Sequence, residues 1–248
     1  MPPLIPVFAL LALVDLTGMV LEAPVLEWLS KPLLAPVLAW YLWRTTGRRH
    51  PLVLVGLGFA TAGDVTLQLG DAWFLPGVLC FLGTQVCWTL AFARAGAVGY
   101  LRRHRALCAC YLAVWTSAVV VLAPALDPAL AVALAFYSLA LVVMACTANV
   151  LGARAAWGGA TFVLSDMLIG LDVAGLNFPG RSPLVMATYA LALALVVTAF
   201  AAHDPEPADG SGSGSDGDSS DSDSDSDSDD GDGDDDGARP GTDRKTSA

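Results

Sequence analysis

The sequence predicts an all-α protein: a polytopic membrane bundle of eight transmembrane helices over residues 1–203, followed by a disordered acidic tail over residues 204–248. Three observations carry this. Of the 248 residues, 55% are hydrophobic and only 15% are charged. Apolar runs near the ~20 residues that a bilayer requires recur along the first 203 positions. Charge is also divided unevenly. Residues 204–248 hold 16 of the 24 acidic residues and 3 of the 13 basic ones, so the net charge of −11 belongs to the tail. The remaining 203 residues carry 8 acidic and 10 basic side chains, a net of about +2.

The first helix is placed at about 4–21. Its leader Pro2-Pro-Leu-Ile-Pro6 lacks a basic segment, and no small-x-small site follows. It is therefore expected to be a spanning helix and not a cleaved signal. The second, about 24–43, carries Glu27, Lys31, Pro32 and Pro36, so a short or kinked helix is expected. Glu27 and Lys31 stand four apart, a spacing that allows mutual neutralisation. The third, fourth and fifth are placed at about 51–69, 73–93 and 106–123. The last three are placed at about 128–150, 157–173 and 182–202.

Connections set the orientation. Arg44, Arg48 and Arg49 lie between helices two and three. Arg94, Arg102, Arg103 and Arg105 lie between four and five, and Arg154 between six and seven. The alternate connections carry Glu22 and Glu27, Asp71, Asp127, and Asp172 with Arg181. Lys and Arg mark cytoplasmic loops, so both termini are expected in the cytoplasm. The expected location is the cell membrane of a bacterium. The Ser/Asp/Gly repetition of 211–236 cannot bury apolar surface and lacks the spacing of a calcium loop, so a solubilising tail is expected.

Asp64 and Asp166 stand inside apolar segments, Phe59-Ala-Thr-Ala-Gly-Asp64 and Gly158-Gly-Ala-Thr-Phe-Val-Leu-Ser-Asp166. A carboxylate at the centre of a spanning helix costs roughly 2.5–3.5 kcal/mol on insertion scales, which makes such a residue a functional candidate. Asp64 lies about 20 Å up its helix from the cytoplasmic end and Asp166 about 15 Å up. Gln85, Tyr137 and Tyr189 lie roughly 12–18 Å below the outer end of theirs, in the same slab. Gly56, Ala60 and Asp64 share one helical stripe, and Gly159, Val163, Asp166 and Gly170 another. Small residues beside a polar one mark a face turned into the bundle. Phe81, Gln85, Trp88 and Phe92 form a third stripe. Each polar residue has a plainer reading as interhelical glue, and Ser165 as a bond to its own helix. His50, His104 and His203 fall at membrane edges, so no metal site and no organic cofactor is expected. The five cysteines read as small packing residues. Nothing suggests nucleic-acid binding.

These residues together resemble the YhhN-like lysoplasmalogenase family of multipass membrane proteins. The features are Lys31-Pro-Leu-Leu-Ala-Pro36, Gly63-Asp64-Val-Thr-Leu67, Phe81-Leu-Gly-Thr-Gln85-Val-Cys-Trp88, Gly159-Ala-Thr-Phe-Val-Leu-Ser165-Asp166 and Thr188-Tyr189. The family shows a histidine and a tyrosine where this chain has Gln85 and Trp88. Glutamine hydrogen-bonds but does not shuttle a proton near neutral pH. The resemblance implies hydrolysis of the vinyl ether of a lysoplasmalogen, with a lysophospholipid as substrate and the bilayer as surroundings. It implies Asp64 and Asp166 as the catalytic pair. Lys31, Gln85, Tyr137, Ser165 and Tyr189 would bind substrate or support the pair, with Lys31 toward the lipid phosphate. Two other classes stay open: a small proton-coupled transporter or lipid-binding membrane protein, and an intramembrane aspartyl protease. Against the protease, the Tyr-Asp partner and Gly-x-Gly-Asp spacing are missing. Against the transporter, no inverted repeat is evident.

Overall fold

A computed structural model describes residues 4–203 except Arg48, with the side chain of Asp71 also outside the description. Residues 204–248 lie outside it, and with them the acidic tail and its expected disorder.

The described residues are helical, with no strand among them. Eight long helices stand where the apolar runs place them. They are α1 (Leu4–Val20), α2 (Pro24–Thr46), α3 (Pro51–Gln68), α4 (Phe74–Arg94), α6 (Arg105–Leu122), α7 (Pro128–Ala148), α8 (Ala153–Val173) and α9 (Arg181–His203). A ninth helix, α5 (Ala97–Arg103), is short and occupies the connection expected as a basic loop. Local chemistry fixes several ends. Pro24, Pro51 and Pro128 open their helices at the first turn, where a missing N–H costs nothing. The Asp127 carboxylate accepts from the Ala129 N–H at 3.1 Å and caps α7. Gly47 and Gly152 take positive φ where α2 ends and α8 begins.

Six helices, α3, α4 and α6 to α9, are long and apolar enough to cross a bilayer. Lipid-facing surface is apolar, with Leu10, Leu13, Leu79, Val120 and Phe136 exposed. Exposed tryptophans lie toward both ends: Trp40, Trp43 and Trp157 near the basic connections, Trp28 and Trp73 near the opposite ones. This is the distribution of interfacial aromatic belts. The Arg44 guanidinium lies 5.5 Å from the Trp40 ring centre, completing one such anchor.

α2 is not short: it runs as one helix of 23 residues through Pro32 and Pro36. Lys31 stands close enough to Asp15 and Asp64 for its charge to act on both. α8 begins at Ala153, earlier than expected. Asp64 and Asp166 therefore each stand thirteen residues past the first residue of their helix, at equal depth of about 20 Å.

The core is built from the pairs α1–α2, α3–α4 and α8–α9, joined through α2–α3, α4–α7 and α7–α8. α9 packs on α8, α2 and α1, and has the most buried residues. α6 has no buried residue and packs chiefly on α7.

Candidate functional site

Glycines bring the helices of the site together. A Cβ on Gly56 would lie 2.4 Å from Trp88 Nε1, and one on Gly63 would lie 2.8 Å from the Phe81 ring. α3 and α4 therefore touch backbone to ring, and the Phe81–Thr84–Gln85–Trp88 face of α4 lies against α3. Thr84 donates to the Gly56 carbonyl at 3.1 Å across this contact, and Trp88 Nε1 to the Val53 carbonyl at 3.4 Å.

α8 is notched on two sides. A Cβ on Gly159 would meet the Ala145 Cα of α7 at 2.8 Å, and one on Gly158 the Val196 side chain of α9 at 2.8 Å. Seven residues on is two turns, which returns to nearly the same face. Asp166 follows Gly159 by seven and faces α7. There it accepts a hydrogen bond from the Tyr137 hydroxyl at 2.5 Å. Ser165 follows Gly158 by seven and faces α9, where it donates to the Val185 carbonyl at 3.0 Å. Ser165 is thus an interhelical strut, and its bond goes to the neighbouring helix and not to its own.

Asp64 is buried and accepts from the Tyr189 hydroxyl of α9 at 2.8 Å. The Tyr189 ring is held edge-on by Phe81 and Phe162, each 5.8 Å away between centres. Tyr189 also lies within electrostatic reach of Asp166 and Tyr137. The two aspartates thus lie in one polar neighbourhood as two separate pairs, Asp64 with Tyr189 and Asp166 with Tyr137. Gln85 is fully buried beside Tyr137, yet neither its amide oxygen nor its nitrogen meets hydrogen-bond geometry. A buried amide left in this way is costly and is a candidate for contact with a bound molecule.

The structure adds a residue that the sequence reading missed. Asp15 in α1 is fully buried, and its Oδ1 accepts from the Ser30 hydroxyl of α2 at 2.7 Å. Its Oδ2 has no partner. The signal was present: Asp15 interrupts the apolar run Leu10-Leu-Ala-Leu-Val-Asp15-Leu as Asp64 and Asp166 interrupt theirs. Among the described residues, Asp15 thus joins Asp64 and Asp166 as a carboxylate within an apolar helical run. The Lys31 charge acts on both Asp15 and Asp64.

The members of the cluster differ in access. Asp64, Gln85 and Tyr189 are buried, whereas Asp166 and Tyr137 are partly exposed. Both of the latter line a cavity of ≈ 750 Å³ walled by α4, α6, α7 and α8. Among the described residues, no group of three or more His, Cys, Asp or Glu side chains converges as metal ligands. The arrangement offers one carboxyl, hydrogen-bonded to Tyr137, at an apolar cavity, with a second, buried carboxyl held by Tyr189 nearby. That is a layout for moving a proton at a lipid-accessible surface.

The sequence profile of the YhhN family matches residues 26–200, which takes in every residue of the cluster except Asp15. No curated protein and no solved structure matches the chain.

Proposed function

We propose that the chain, which belongs to the YhhN family, is an integral membrane hydrolase that cleaves the vinyl ether of lysoplasmalogens to a fatty aldehyde and a glycerophospho-base. The observation that carries this reading is the Asp166–Tyr137 pair on the wall of an otherwise apolar cavity. A lipid whose scissile bond lies at the head of an aliphatic chain needs that combination of acid and apolar surroundings.

The chemistry fits these residues as follows. The Asp166 carboxyl delivers its proton to the β-carbon of the alkenyl group, leaving an oxocarbenium ion beside a carboxylate. Water adds to the ether carbon and its proton passes to the carboxylate. The hemiacetal then loses its hydroxyl proton as the glycerol oxygen gains one, the C–O bond breaks, and the aldehyde is released. Tyr137 orients Asp166, and Asp64 with Tyr189 forms the charge environment behind it. Lys31 supplies a counter-charge to Asp64 and Asp15.

All eight long helices cross the membrane in this reading, with both termini cytoplasmic in a bacterial cell membrane. α1 and α2 are counted as spans in this reading, and six or eight spans alike keep every basic connection on one side. The reading is tested by aldehyde release from a lysoplasmalogen by the purified protein. No release, with release intact from a positive-control hydrolase, would sink it and leave a proton-coupled transporter as the use for a buried carboxylate cluster.

A further inference from the structure

We infer that the cavity beside Asp166 takes the aliphatic chain of a single-chain lipid drawn from the outer leaflet, by sideways access between α6 and α8. The inference rests on the proposed function only in calling that chain alkenyl.

Each wall helix contributes its portion nearest the acidic connections. α4 gives Phe74, Val78 and Phe81 from its first turns, and α6 gives residues from Ala113 to its end at Leu122. α7 gives residues 131–142, and α8 gives Ala160 through Val173 at its last position. The ends of these helices that carry Arg94, Arg105 and Arg154 contribute nothing. If the basic ends face the cytoplasm, the cavity belongs to the outer half of the bilayer.

Its length is enough for one chain. The α8 wall runs fourteen residues from Ala160 to Val173, about 20 Å at helical rise. One leaflet's chains fill half of a core about 30 Å thick, or about 15 Å. The volume of ≈ 750 Å³ suits one small molecule and not a whole two-chain lipid. The side is open. Val114 and Val121 of α6 and Leu164 of α8 line the cavity and are 63%, 70% and 47% exposed. Polar groups in the wall are few and mostly self-satisfied: Trp115 Nε1 donates to the Ser138 hydroxyl at 3.0 Å. Asp166 supplies the one carboxyl in the lining, about 10 Å below the outer end of α8. A chain seated along this wall would pass Asp166 near the middle of the cavity, about 9 Å from its inner end at Ala160.

The test uses a lysophosphatidylcholine bearing a diazirine in its chain, photolysed with the purified full-length protein in lipid nanodiscs. Adducts are mapped by mass spectrometry. They are expected on 113–122, 131–142 and 160–173. A Cβ at Gly170 would find only Leu122 Cδ1, at 3.9 Å, so Gly170→Phe extends into the cavity and should cut these adducts at least tenfold. Ala118→Phe, on the helix with no buried residue, should do the same where Gly170→Phe folds poorly. Gly58→Phe, at a position with no neighbour within 4 Å, should leave them unchanged. In membranes, probe added to right-side-out vesicles should label at once and probe added to inverted vesicles slowly. Adducts spread over all lipid-facing helices and indifferent to both plugs would overturn the site. Equal competition by diacyl phosphatidylcholine would overturn the single-chain assignment, and labelling first from inverted vesicles the leaflet. Absence of aldehyde release with labelling intact would count against the hydrolase reading alone.

Discussion

The Ser30 hydroxyl donates to Asp15 Oδ1 at 2.7 Å and ties α2 to α1 beside Lys31. This bond brings a third carboxylate to the cluster, and Lys31 serves two of the three. Asp15→Asn keeps an acceptor for Ser30 while removing one of those charges. Lys31 should then pair harder with Asp64. The expected result is normal insertion and a kcat/KM for aldehyde release about tenfold lower, equivalent to ~1.4 kcal/mol in the barrier. Unchanged kinetics would make Asp15 a strut between α1 and α2 only.

The aspartates at the two tyrosines should act as a unit. Asp64→Asn and Asp166→Asn each preserve size and an acceptor for the tyrosine hydroxyl. Each should lower turnover by about 10²–10⁴-fold, the range for losing a general acid or base, in protein that remains monodisperse. The double variant should be little worse than either single one. Wild-type-like hydrolysis by both single variants would remove the pair as catalytic centre.

Gln85 separates stability from chemistry. Its buried amide lacks hydrogen-bond geometry, so Gln85→Leu should leave the melting temperature unchanged or raise it. If the amide contacts substrate or Tyr137 during the reaction, turnover should fall in the same protein. Gln85→His restores the residue of the family pattern and should raise the rate or shift its pH optimum. A lower melting temperature with unaltered kinetics for Gln85→Leu would show a purely structural amide.

The glycine notch on α3 should be intolerant. A Cβ at Gly56 would overlap the Trp88 indole, so Gly56→Ala should cost about 1–3 kcal/mol by overpacking. Trp88→Leu in the same chain should recover part of the loss, because it vacates the space. Thermal melts of the four proteins of this cycle in one detergent give the coupling. Additive losses would mean that the two helices do not meet through this contact.

The crossing of α3 and the helices after it is checked by labelling. Single cysteines at Asp71, Asp127 and Asn177 in a cysteine-free background should react from outside with a membrane-impermeant thiol reagent. Cysteines at Gly47 and Gly99 should not. Gly47 and Asp71 reacting from the same side would mean that α3 does not cross.

What the sequence determined by itself was the helical class, the position of each long helix and the alternation of basic connections. These follow from apolar run length and from charges near helix ends, both local properties of the chain. The stripes Gly56–Asp64 and Gly159–Asp166 were also legible as inward faces, because small residues at helical spacing mark close approach. The tertiary structure decided the rest. It alone pairs Tyr189 with Asp64 across 125 positions and Tyr137 with Asp166, since no local rule says which helix faces which. It sends Ser165 to α9, one residue away from an aspartate that faces α7. It separates a buried Asp64 from an Asp166 open to a cavity, a difference that two similar aspartates in two similar helices do not display in sequence. Asp15 was readable as a charge in an apolar run, but its place beside Lys31 depends on how α1 lies against α2, which only packing fixes.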